Sequence, residues 1–146
     1  MKVLVTGAAG FIGSHVCEAL LQRQGVFVIG LDNFDPYYDV KIKRNNISML
    51  KEKYPNFEFY KQDIRNTTVI EDWKPDKVCH LASMAGVRNS INNPELYFDV
   101  NVKGFIRILE DCETYNVKQI VYASSSSVYG LNKKVPFKET DRINKC

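Results

Sequence analysis

The residues best suited to chemistry in this 146-residue sequence come early. Gly7-Ala8-Ala9-Gly10-Phe11-Ile12-Gly13 follows directly on the apolar run Lys2–Thr6 and opens a helix-periodic segment. Gly7, Gly10 and Gly13 permit a tight turn, close approach of backbone to a pyrophosphate, and close packing of helix on strand. The helix that follows offers free N–H groups and the positive end of its dipole, which bind phosphate without a basic side chain. Asp32 ends the next apolar run, near the spacing at which an acid accepts hydrogen bonds from an adenosine ribose. A carboxylate there repels a 2′-phosphate, so the expected dinucleotide is NAD rather than NADP. The competing reading of Asp32 is a turn-forming aspartate ahead of Asn33. Lys41, Lys43 and Arg44 bring positive charge nearby, and a solvated helix face accounts for them more simply.

Other chemistry finds less support. Cys17, Cys79, Cys112 and Cys146 are widely spaced and form no C-x-x-C pair. Together with His15 and His80 they place no two ligands at metal spacing on one element, so free thiols and ordinary histidines are expected. Free thiols point to the cytosol. A net charge of +3, with 25% charged residues of mixed sign, gives no basic field for nucleic acid or anionic lipid. Val3-Leu4-Val5 is too short for the apolar stretch of a signal peptide, and no run is long enough to span a membrane.

Positioning these residues falls to alternating strand-like and helix-like segments, which predict an α/β fold with a doubly wound parallel sheet. Strands are expected at Lys2–Thr6, Val26–Leu31, Phe57–Lys61, Lys77–Leu81 and Gln119–Ala123. The first helix should run Phe11–Arg23 and bury Ile12, Val16, Ala19 and Leu20; the second should cover Val40–Lys53. A short helix over Asn66–Trp73 would be capped by Asn66. Asn93-Pro94-Glu95 predicts a long helix start, from an N-cap amide, a proline whose missing N–H costs nothing, and an acid at the positive dipole end. That helix should reach about Tyr115 and bury Leu96, Val100, Phe105, Ile108, Leu109 and Cys112. Everything after Gly130 reads as loop. One domain of 1–146 is expected, since 45% hydrophobic residues suffice for a single core.

Taken in order, VTGAAGFIGSHV (Val5–Val16), LDNFDPYYD (Leu31–Asp39), QDI (Gln62–Ile64), HLASMAGVR (His80–Arg88), NVKG (Asn101–Gly104) and YASSSSVYG (Tyr122–Gly130) resemble the extended short-chain dehydrogenase/reductase superfamily. Within it the resemblance is to the NAD-dependent epimerase/dehydratase group, most of all its UDP-glucuronate 4-epimerase members. It implies a Rossmann fold and NAD. Phe11 and Ile12 would lie against the pyrophosphate, Asp32 and Asn33 on the ribose, and Asp63 and Ile64 beside the adenine. Leu81, Ala82 and Ser83 would line the groove, with Asn101 approaching from the long helix. Simple capping or polar satisfaction is the competing reading for Asp63 and Asn101.

The resemblance also makes Ser125 the hydroxyl that bonds the sugar hydroxyl being oxidised. Family dehydratases carry Asp-Glu at the next two positions as acid and base for elimination; here they are Ser126 and Ser127. Without that acid–base pair, transient oxidation at sugar C4 and epimerisation remain. Two neutral donors would also tolerate a uronate carboxylate, which fits a UDP-glucuronate or UDP-galacturonate substrate. Arg88 is a candidate cation for substrate, with a solvent-facing arginine as the alternative. The family's base is a Tyr-x-x-x-Lys pair on the helix after the fifth strand, and that helix would lie beyond Cys146. Tyr37…Lys41 and Tyr129…Lys133 match by letter only, since neither sits on such a helix.

The expectation is therefore the N-terminal, cofactor-binding part of a nucleotide-sugar epimerase, truncated after the fifth strand and inactive alone, with exposed apolar surface on that strand and the long helix. A UDP-sugar substrate and a homodimer are expected of a completed enzyme, in the cytoplasm, without nucleic-acid or membrane partners. A non-catalytic dinucleotide-binding sensor or interaction protein, a gene remnant, and a different nucleotide-sugar oxidoreductase stay open beside it.

Overall fold

The computed structural model describes residues 1–143, so Cys146 lies outside the described residues. Five strands, β1 (Lys2–Thr6), β2 (Phe27–Leu31), β3 (Phe57–Tyr60), β4 (Lys77–His80) and β5 (Gln119–Tyr122), form one parallel sheet in the order β3-β2-β1-β4-β5. The chain winds outward from β1 to one edge, then returns to β4 and winds to the other. This is the expected doubly wound arrangement, with its switch point between β1 and β4. Register sets the carboxyl ends flush, Thr6 opposite both Leu31 and His80.

Strand alternation divides the core in two. Val3 and Val5 face α1 (Phe11–Leu21) and α2 (Val40–Lys53), in a cluster with Cys17, Leu21, Ile47 and Leu50. Leu4 faces the other way, with Ile29, Val78, Ile70 of α3 (Val69–Trp73), and Ile108 and Cys112 further along the chain. No helix among the described residues is long and apolar enough to cross a membrane, and no group of three His, Cys, Asp or Glu side chains gathers to hold a metal.

The buried face of α1 is Gly13, Ser14, Cys17 and Leu21, one residue out of step with the predicted one; Ile12 and Ala19 are exposed and Val16 and Leu20 half-buried. Close packing at Gly13 turns the helix. A Cβ there would lie 2.0 Å from the Gly7 carbonyl oxygen, so the helix rests on its glycine rather than on its bulkier neighbours.

Asn66 does not cap α3. The helix starts at Val69, and Thr67 Oγ1 accepts from the Val69 N–H at 3.1 Å while donating to Gln62 Oε1 at 2.7 Å. A helix absent from the prediction, α4 (Val87–Asn92), precedes α5 (Pro94–Phe98). Asn93 joins the two and makes no side-chain cap; its Nδ2 reaches back to Asn89 Oδ1 at 3.1 Å.

The predicted long helix is α5, then a wider π-helical stretch Asp99–Gly104, then α6 (Phe105–Thr114). The wider turn resets the helical phase. Val100, Ile108 and Cys112 are buried as predicted, Phe105 is half-buried, and Leu96 and Leu109 are exposed. Beyond β5 come a 3-10 turn, Ser126–Tyr129, and irregular chain. At 56% and 57% exposure, Val121 and Tyr122 leave β5 an open edge.

Candidate functional site

The flush strand ends open into a cleft of about 440 Å³ at the switch point. Gly7 turns the chain at φ +70, where L side chains are strained, and a Cβ on it would meet the Ala82 nitrogen at 2.9 Å. The β1 and β4 turns therefore touch backbone to backbone. Gly10 precedes α1 and supplies no side-chain cap, so the first-turn N–H groups face the cleft beside Phe11 and Ile12.

At the cleft's β2 end Asp32 is 7% exposed. Its Oδ1 accepts from the Phe34 N–H at 2.8 Å and its Oδ2 from the Ala9 N–H at 3.2 Å. Lys43 Nζ lies 3.5 Å from Oδ1 and 5.1 Å from the centre of the Tyr38 ring. Lys43 is itself 7% exposed, which corrects the expected solvated face; Lys41 and Arg44 are exposed. The missed signal lay in the helix period, because Lys43, Ile47 and Leu50 fall at i, i+4 and i+7 on the buried stripe of α2.

Asn33 donates to Asp63 Oδ2 at 3.1 Å. Arg65 grips the same carboxylate through Nε at 2.9 Å and Nη2 at 2.8 Å. The guanidinium is the main reason the Asp63 carboxyl is held down at about 2; the Arg65 N–H and Asn33 add to it against partial burial. Asp63 and Ile64 line the cleft here, as Asn33 does.

Past β4, Leu81, Ala82 and Ser83 form the opposite wall. Thr6 Oγ1 accepts from the N–H groups of Leu81 and Ala82, each at 3.1 Å, and lies 2.8 Å from His80 Nδ1. With two donors already on that oxygen, the hydroxyl proton has to point at Nδ1. His80 is thereby fixed as the neutral tautomer with its proton on Nε2. Burial pushes its pKa down to about 4, and its ring stacks on Phe105 at 4.9 Å.

Asn101, expected at the groove, stands behind it. Its Oδ1 accepts from the Met84 N–H at 2.7 Å and its Nδ2 donates to the Met84 carbonyl at 2.9 Å. Met84 is the cleft-lining residue, and Asn101 holds it.

Ala123 and Ser124 reach the cleft's β5 end. Ser125 follows as the N-cap of the 3-10 turn: its Oγ accepts from the Ser127 N–H at 3.3 Å and donates to Ser127 Oγ at 3.2 Å. Ser125, Ser126 and Ser127 are exposed. Arg88 is exposed on α4 and outside the cleft lining. Tyr37 precedes α2 while Lys41 lies on it, and Tyr129 ends the 3-10 turn while stacking on Phe137 at 4.4 Å. Neither Tyr-x-x-x-Lys match shares one helix.

A glycine turn, an acid after β2 and strand ends meeting at a switch point have a counterpart among known proteins. The family model described as GDP-mannose 4,6 dehydratase matches residues 4–145. The chain belongs to this family. Within it, UDP-glucuronate 4-epimerase 2 of Arabidopsis thaliana is 46% identical over 149 residues, 99% of this chain and 34% of that protein. Protein CapI of Staphylococcus aureus is 44% identical over 148 residues, again 99% of this chain but 43% of its own length. The chain thus spans less than half the length of the curated relatives it matches. The crystal structure of UDP-glucuronic acid 4-epimerase from Bacillus cereus, in complex with UDP-glucuronic acid and NAD, superposes with a TM-score of 0.82 at 39% identity, covering 95% of this chain and 44% of that one.

Proposed function

We propose that this family member is the NAD-binding part of a UDP-sugar 4-epimerase of the UDP-glucuronate kind. The carrying observation is that one cleft gathers the glycine turn, Asp32 and the walls formed by Leu81, Ala82 and Ser83, with Ser124 at its far end. Bound there, NAD supplies a hydride acceptor for transient oxidation at sugar C4. In this reading the first turn of α1 holds the pyrophosphate, Asp32 and Asn33 the ribose, and Asp63 and Ile64 the adenine.

Ser125 lies outside the cleft lining but directly follows Ser124, which is part of it, and in this reading it would donate to or accept from the C4 hydroxyl. Ser126 and Ser127, where elimination needs a carboxylic acid and a carboxylate, offer hydroxyl groups alone. That supports epimerisation over dehydration, whatever the family model's name, and leaves a uronate carboxylate unrepelled. No described residue supplies the phenolic base, since neither Tyr-x-x-x-Lys match is helical. A UDP-sugar substrate, a homodimer and a cytoplasmic setting belong to the same reading; the thiols of Cys17, Cys79 and Cys112 are free.

Calorimetric titration of the full chain tests the cofactor, with micromolar NAD binding expected and no binding overturning the proposal. Product analysis on the full-length gene product then tests the chemistry. UDP-glucuronate converted to UDP-galacturonate is expected; a 4-keto-6-deoxy product would sink the epimerase assignment, and NAD binding without turnover would favour a sensor.

A further inference from the structure

The Asp32–Lys43 pair supports an inference that rests on the dinucleotide reading of the cleft. We propose that Lys43 is a latent anchor for a 2′-phosphate, masked by Asp32 and exposed when that acid is removed.

Lys43 is placed for that role by the fold. Its position on the buried stripe of α2 brings its ammonium over the Tyr38 ring, within the cleft lining. An exposed lysine such as Lys41 would face solvent and pay desolvation on binding anything; Lys43 is already desolvated. Its distance of 3.5 Å from Asp32 is longer than a good charge-assisted hydrogen bond, so its donors remain open to a closer acceptor. Asp32 is meanwhile held in place by the Ala9 and Phe34 N–H groups and does not depend on the lysine for its aim.

The surrounding charge makes the masking sharp. Asp32, Asp35 and Asp63 all line this end of the cleft. Arg65 is bonded to Asp63 and Lys43 faces Asp32, while Asp35 makes no ion pair among the described residues and has only the longer-range field of Arg65. A phosphate dianion arriving here meets a net negative end. Without the Asp32 carboxylate, the two cations balance the two remaining acids, and Lys43 is the cation beside the ribose position.

Titration of the full chain with NAD and NADP decides the matter. Asp32→Ser and the isosteric Asp32→Asn are each compared with the same substitution combined with Lys43→Met, and circular dichroism establishes which variants fold. The wild type is expected to prefer NAD. Either Asp32 variant is expected to bind NADP at least tenfold more tightly than wild type, the gain shrinking with added salt and vanishing in the double variant. A gain that survives Lys43→Met, or folded Asp32 variants with no gain, overturns the role given to Lys43. Failure of the wild type to bind either nucleotide instead overturns the dinucleotide reading beneath it.

Discussion

Thr6 and His80 form a buried donor–acceptor pair with one allowed proton arrangement, and that arrangement has a pH signature. Folding lowers the His80 pKa from 6.5 to about 4, so the unfolded chain binds more protons between those values and stability falls as pH drops through the window. The full contribution is present above 6.5 and is lost progressively toward 4, with an upper bound of about 3 kcal/mol. Melting temperature against pH should therefore slope between 6.5 and 4 in the wild type and flatten there in His80→Asn. Asp63 does not confuse the result, since its pKa moves from 3.8 down to about 2 and its stabilisation is lost below the histidine window. An unchanged slope in the variant would remove His80 as the source. Asp32 was legible as an acid at the right spacing, whereas its partner Lys43 was hidden because lysine in a polar helix reads as solvated. Only the register with Ile47 and Leu50 marked it.

Elements were legible where a period was strong and their neighbours left it undisturbed. β1 and α2 fall on their predicted residues. The first helix kept its place and lost its face, because contact at Gly13 is a tertiary constraint invisible to periodicity. The long helix held at Val100, Ile108 and Cys112 and failed at Leu96 and Leu109, which are exposed, because Asp99–Gly104 is a wider turn than the periodicity assumed. α4 carried no apolar stripe to betray it, and none of its residues is buried. Asn101 lies within the wide turn and clamps both backbone groups of Met84. Asn101→Leu leaves that N–H and carbonyl unpartnered, at a cost of about 2 kcal/mol. Because Met84 lines the cleft, NAD affinity should fall along with thermal stability. A loss of stability at unaltered NAD affinity would confine Asn101 to a structural part.

For the whole molecule, the alternation of segments was enough to give a doubly wound parallel sheet, while the strand order that puts the switch point between β1 and β4 came from the structure. What alternation did not give was the outer surface. Phe98, Val102, Ile106 and Leu109 are exposed along one helical run, with Val121 and Tyr122 open on β5. Apolar area of that extent favours association. Sedimentation velocity should show concentration-dependent self-association, reduced when Ile106 and Leu109 are both changed to Lys; a monomer at every concentration would count against the patch. The contact of Gly7 with Ala82, and of Gly13 with Gly7, reaches further. The floor of the cleft is made of main chain with no side-chain volume to exchange, so mutation there has little neutral variation to explore. Change at this cleft has to proceed instead through its rim, where side chains such as Asp32, Met84 and Ser124 rather than main chain form the wall.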